Sequence, residues 1–151
     1  MTSVMSKPSD VPYATTLQVR DACLCLYAQR AARALARRFD EALRPVGLTN
    51  GQFSLLISLN RPEPPAMGPV ASLLGVDRTT LTAALKPLRR RGLVELAADP
   101  ADRRSRRLAL TPAGRDVLAA AVPIWRHTHQ AVEALLPGGA EGLRAGLAAL
   151  A

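Results

Sequence analysis

The stretch Asp77–Thr111, DRTTLTAALKPLRRRGLVELAADPADRRSRRLALT, constrains the fold more than any other because the hydrophobic period changes inside it. Leu81, Leu85 and Leu88 recur at helical steps, whereas Val94 and Leu96 alternate with Glu95, and Leu108 and Leu110 alternate with Arg107 and Ala109. The expectation is a helix over Arg78–Arg91, capped by Asp77 and ended by Gly92, followed by two short antiparallel strands. Between the strands, Asp99 to Ser105 is a turn-rich tip that carries cations away from the core. Nine of the 20 Lys and Arg lie between Arg78 and Arg107, against three of the 12 acids, so this interval holds +6 of a net charge of +8. Charge so concentrated points to a polyanion, and by itself leaves DNA, RNA and an anionic membrane surface open.

The faces of the helix narrow that choice. With Leu81, Leu85 and Leu88 on one side, Thr79, Ala83, Lys86 and Arg90 project from the other, with Thr82 beside them. Short hydroxyls and a methyl near the start suit base edges, and cations further along suit phosphates. An ordinary surface helix would interleave Glu for pairing four residues apart, but no acid occurs between Arg78 and Arg91. Pro87 lacks an N–H and crowds the Ala83 carbonyl, so a local kink is expected. The tip of the strand pair is suited to placing an Arg in a narrow minor groove, with Asp102 expected to orient a neighbouring Arg by a salt bridge.

Upstream, residues 1–16 are polar and contain Pro8 and Pro12, and are expected to be a flexible arm. From Leu17 to Val46, the residues Leu24, Tyr27, Ala28, Ala31, Leu35, Phe39, Ala42 and Val46 form one stripe of a single long helix closed by Gly47, with Arg30, Arg33, Arg37 and Arg38 off the stripe. Thr49 and Gln52 fit a capping box for a second helix. Gly68 and Pro69 open a short helix through Leu74, and Gly75 and Val76 turn the chain into Asp77. Two helices joined by a tight Gly turn have the form of a helix-turn-helix. Beyond the strands, Thr111 and Pro112 start a helix with Val117, Leu118, Ala121, Ile124, Trp125, Val132 and Leu135, expected to bend at Pro123. A last helix from Glu141 shows Leu143, Leu147 and Leu150 at helical spacing, which suggests burial against a second subunit.

At 151 residues the chain reads as one structural domain, mainly α with a small β-wing (α+β). No run of eighteen apolar residues exists and the N-terminal segment lacks the apolar block of a signal peptide, so a cytoplasmic protein is expected. Cys23 and Cys25 are too few and too close for a disulfide framework, and no Cys/His pattern supplies a zinc site. On an intact helix they stand about 200° apart and cannot bond each other. No nucleophile, base and orienting group recur together, so no enzyme, metal or cofactor is expected.

Taken together, DRTTLTAALKPLRRRGLVE, the wing DPADRRSRRLALT and the following TPAGR resemble the MarR family of winged helix-turn-helix transcriptional regulators, over roughly Leu17 to Ala151. The resemblance implies a cytoplasmic homodimer on a palindromic operator in double-stranded DNA. The N-terminal helix (17–46) and C-terminal helices (112–151) would form the dimer lobe and 47–111 the DNA-binding region. It assigns DNA contacts to Arg78, Thr79, Thr80, Thr82, Lys86 and Arg90 on the helix. In the wing it assigns them to Arg104 supported by Asp102, with Arg103, Arg106 and Arg107 as phosphate candidates. Its members often bind small aromatic or phenolic ligands, for which Arg30, Phe53, Trp125, His127 and His129 are candidate wall residues and polar handles. Peroxide-sensing members carry a reactive cysteine in the first helix. Cys23-x-x-x-Tyr27 is similar to their pattern, although an ungapped alignment places Cys25 there, with Phe39 and Asn50 where those sensors use tyrosines. A ligand-responsive repressor is the leading expectation, a redox-sensing regulator and a non-specific architectural DNA binder its alternatives.

Overall fold

The computed structural model describes residues 10–151. The expected arm falls largely in residues 1–9, outside the described residues, but its last part does not fit: helix α1 already begins at Tyr13 and runs to Ala22. Nor is the first helix continuous. Cys23 adopts an extended conformation (φ −72°, ψ 108°), accepting no Gly or Pro as an excuse, and divides α1 from α2, Leu24–Leu43. The Cys23 N–H still donates to Val19 O, and its carbonyl accepts from Tyr27 N, so one residue ends one helix and starts the next. A 3-10 turn, Arg44–Val46, then leads to Gly47 in the left-handed region.

The described residues divide into two compact units, one ending at Leu35 and the other Ala36–Ala151. In the first, the expected apolar stripe is open: Leu24 and Tyr27 are 70% and 51% exposed. In the second, the stripe turns inward, with Phe39 and Val46 packed against a core that includes Leu43.

The second unit builds its core from short, well-capped elements. Helix α3, Asn50–Ser58, begins with the expected capping box, Thr49 Oγ1 accepting from Gln52 N and Gln52 Oε1 from Thr49 N. The half-buried Asp40 carboxylate adds an acceptor for both Asn50 N and Nδ2 at 2.7 Å, tying α2 to α3. These bonds, the backbone one foremost, hold Asp40 below the usual carboxylate range. Helix α4, Met67–Leu74, starts one residue before the expected Gly68, and Gly75 at φ +67° ends it. Helix α5, Arg78–Arg90, follows after the Asp77 cap and continues through Pro87.

Strands β1, Val94–Ala98, and β2, Arg106–Leu110, pair antiparallel with Val94 opposite Leu110 and Leu96 opposite Leu108. Val94 is buried, while Leu96 is more than one-third exposed because it lies where the hairpin leaves the core. A third segment joins the pair: Ala66 bridges Arg107, and Leu108 N donates to Pro65 O at 2.8 Å, so the loop before α4 becomes an edge of the sheet.

Helix α6, Pro112–Glu133, continues through Pro123 and buries Gly114, Leu118 and Ala121. Its start is locked to the helix-strand turn. Thr111 Oγ1 donates to Gly92 O at 2.6 Å and accepts from Gly114 N at 3.0 Å, while Thr111 N donates to Leu93 O. A Cβ on Gly114 would fall on the Leu93 carbonyl, so only glycine permits this approach. Helix α7, Glu141–Ala149, buries no residue of its own. Leu81, Leu85 and Leu88 of α5 complete the core with Leu55, Leu56, Val70, Leu108 and Leu118. The expected mainly α fold with a small β-wing is what the chain adopts.

Candidate nucleic-acid interface

Three Leu side chains bury one side of α5 and leave Thr79, Thr80, Thr82, Ala83, Lys86 and Arg90 exposed. The Asp77 carboxylate fixes the start of this helix by accepting from Thr80 N at 2.7 Å. Hydrogen bonding from Thr80, the backbone N–H foremost, outweighs the opposing effect of desolvation and keeps Asp77 below its ordinary pKa. Thr82 Oγ1 donates back to Arg78 O at 2.8 Å. Its donor is therefore used, and it offers outward a methyl and acceptor lone pairs, which suit a thymine methyl or the amino group of cytosine or adenine.

The cations of this region separate into two groups once their partners are known. Arg91 was not singled out in the sequence, and it turns back: its Nη1 donates to Gly47 O at 2.8 Å, fastening the end of α5 to the turn before α3. Arg107 is likewise occupied, with Nη1 on Pro64 O at 3.0 Å and Nη2 at 3.4 Å from Asp99 Oδ2, whose side chain is largely buried. Arg106 folds onto the Arg103 and Ser105 carbonyls. Arg103, Arg104, Lys86 and Arg90 are exposed and form no ion pair among the described residues.

Asp102 differs from the expected salt bridge. Its Oδ1 accepts from the Arg104 backbone N–H at 2.9 Å, and Ser105 N donates to Asp102 O, so it shapes the turn that presents Arg104. Asp99 does the same for Ala101 N at 2.9 Å while holding Arg107. A groove of about 750 Å³ runs between the end of α5 and β1, lined by Lys86, Arg89, Arg90, Val94, Glu95 and Leu96 among others.

The candidate ligand residues are only partly brought together. Phe53 and Trp125 stack with centroids 6.2 Å apart, and Trp125 stacks on His129 at 4.8 Å. His129 Nδ1 lies 3.3 Å from Glu133 Oε1, which also accepts from Arg144 Nη1 at 3.0 Å. His127 instead is exposed, two residues round the helix from the stack, and Arg30 is exposed on the part of α2 that belongs to the first unit. In that unit Gln29 Nε2 donates to the exposed Cys25 Sγ at 3.2 Å, and Arg33 Nη2 lies 3.4 Å from Gln29 Oε1. Among the described residues no three or more His, Cys, Asp and Glu side chains gather as a metal site, and no helix is long and apolar enough to cross a membrane.

A helix-turn-helix completed by a two-stranded wing, with free cations on the outer face of its second helix and at the wing tip, defines a winged-helix nucleic-acid-binding protein. A family model described as MarR family matches residues 46–105. The HTH-type transcriptional repressor NicR of Pseudomonas putida is 31% identical over 126 residues, covering 83% of this chain and 77% of that protein. The chain belongs to the MarR family of winged helix-turn-helix transcriptional regulators.

Solved structures agree. The M. tuberculosis transcriptional regulator MosR in complex with DNA is 43% identical, covers 85% of this chain and 93% of its own, and superposes with a TM-score of 0.78. The transcriptional repressor CouR bound to a 23-mer DNA duplex is 30% identical with a TM-score of 0.74, over 94% of this chain and 96% of that one. CouR from Rhodococcus jostii bound to p-coumaroyl-CoA is similar over 78% of this chain and 83% of that one, at 25% identity and a TM-score of 0.68.

Proposed function

We propose that this regulator is a homodimeric repressor that binds a palindromic operator in double-stranded DNA and is released by a small aromatic or phenolic ligand. The observation that carries the reading is the exposed, acid-free face of α5 together with an exposed Arg104 whose backbone the Asp102 turn fixes at the wing tip. In this reading Thr79, Thr80, Thr82 and Ala83 approach base edges in the major groove, Arg78, Lys86 and Arg90 hold phosphates, and Arg104 enters the adjacent minor groove. Arg103 and Arg106 reach the flanking backbone, while Arg107 and Arg91 position the elements that do so. Segments 17–46 and 112–151 supply the subunit interface and 47–111 the DNA-binding region. The names of relatives support the repressor role and the ligand, since NicR and CouR are called repressors and CouR is described with p-coumaroyl-CoA. The Phe53–Trp125–His129 stack is the candidate wall for an aromatic ligand. A cytoplasmic location follows from this role.

Footprinting on DNA flanking the chain's own gene tests the operator. Protection of an inverted repeat with half-sites about one helical turn apart is expected. A single asymmetric footprint, or none, would overturn the dimeric-operator reading.

A second reading has one observation in its favour. Cys23 lies at the break between α1 and α2, so the geometry of an intact helix does not keep it from Cys25. In this reading a peroxide oxidises the two thiols to one disulfide and is itself reduced to water and the alcohol, or to two waters. Operator release by peroxide that is lost in Cys23→Ser and Cys25→Ser supports it, and release that survives both substitutions excludes it.

A further inference from the structure

The loop that leaves α3 encloses a small pocket on the side of the wing root. It measures about 180 Å³ and is lined by Asn60, Arg61, Pro62, Ala109, Leu110 and Arg115 among others, with no carboxylate in its wall. Drug-sized ligands occupy pockets of about 300–1,000 Å³, so this space suits something smaller. Two guanidiniums line it, and each is anchored by one donor only. Arg61 Nε donates to Ser58 O and Arg115 Nη1 to Leu110 O, both at 3.1 Å. Neither takes part in an ion pair among the described residues. Each anchored fork keeps further N–H groups for an acceptor, and anchoring removes much of the side-chain freedom that binding would otherwise cost.

We propose that Arg61 and Arg115, with Asn60 of the loop, form a binding site for a small oxyanion, a phosphate or the carboxylate of a small organic acid. Two cations facing one space without an acid repel each other, and an anion relieves that repulsion while accepting from both forks. The same loop gives Pro64 O to Arg107 and Pro65 O to Leu108, so an anion held here braces the root of the wing. The site goes beyond the DNA-binding reading, and its test uses no operator.

The test is NMR of the arginine Nε–Hε resonances in the full-length protein, titrated with potassium phosphate, with sodium benzoate and with a mixed-sequence DNA duplex, chloride keeping ionic strength constant. Arg61 and Arg115 should shift saturably at millimolar phosphate or benzoate while Arg103 and Arg104 do not. A response to phosphate alone assigns a phosphoryl ligand, and to benzoate alone an organic acid. The Arg115 response should vanish in Arg61→Gln, and the Arg61 response should vanish in Arg115→Gln and weaken in Arg115→Lys. If a single variant does not fold, the wild-type titration decides. A response to duplex only, no saturable shift, or equal shifts at Arg103 and Arg104 would overturn the site.

Discussion

Arg104 and Arg107 carry the same guanidinium three residues apart, and their neighbours give them different work. Arg104 is exposed with its backbone N–H held by Asp102, whereas Arg107 bonds Pro64 O and Asp99. Arg104→Ala is expected to weaken operator binding by about 1–3 kcal/mol, roughly five- to 150-fold, through loss of a groove contact. Lys86→Ala should weaken binding to all sequences alike and lower the slope of log K against log salt by about one. Arg107→Ala should weaken binding with the salt slope unchanged, and lower stability by about 1 kcal/mol in urea titrations, because it removes structural hydrogen bonds and no phosphate contact. Binding and salt slope unaltered by both Arg104→Ala and Lys86→Ala would remove the docking scheme. The run of cations was plain in the sequence, but its division was not. Arg107 is fixed by a carbonyl 43 residues away and Arg91 by one 44 residues away, and no local pattern announces such a partner.

Caps and turns explain why α5 and the wing could be read from residues alone. Asp77, Gly75, Gly92 and the Thr49–Gln52 box act within a few residues of where they stand, so their chemistry is visible locally. The break at Cys23 was hidden for the opposite reason: neither Gly nor Pro stands there and the flanking residues continue a helical period. The pairing of Ala66 with Arg107 was also invisible, because two prolines precede Ala66 and the partner strand is far along the chain. Gly114→Ala tests the junction of helix and wing. Its new methyl would overlap the Leu93 carbonyl, so a loss of about 1–3 kcal/mol in chemical denaturation is expected. Asp77 and Asp40 test the caps through pH. Both are depressed in the folded state, so their stabilisation is complete above the unfolded carboxylate pKa and is lost as pH falls through the folded values. Thermal stability should be insensitive to these groups above about pH 5 and fall below about pH 4, with a smaller fall in Asp77→Asn. An equal fall in that variant would assign the acid sensitivity elsewhere.

On the scale of the molecule, the apolar surface left open is what demands a partner. Leu24 and Tyr27 in the first unit, and Leu143, Leu147 and Leu150 on the last helix, are about half exposed or more, and α7 buries none of its residues within the chain. A second copy covering these faces would remove them from water, at about 25 cal/mol per Å² of apolar area. Sedimentation at micromolar concentration should therefore find a dimer, and Leu147→Glu should shift it toward monomer and weaken binding to two half-sites more than to one. A stable wild-type monomer would contradict both the interface and the palindromic operator. The most direct measurement is competition binding at about 150 mM salt, a two-half-site palindrome from the footprint against bulk duplex DNA. A preference of about a thousandfold or more for the palindrome is predicted. Equal affinity for palindrome and bulk DNA would contradict sequence-specific regulation and leave a basic winged helix that binds any duplex.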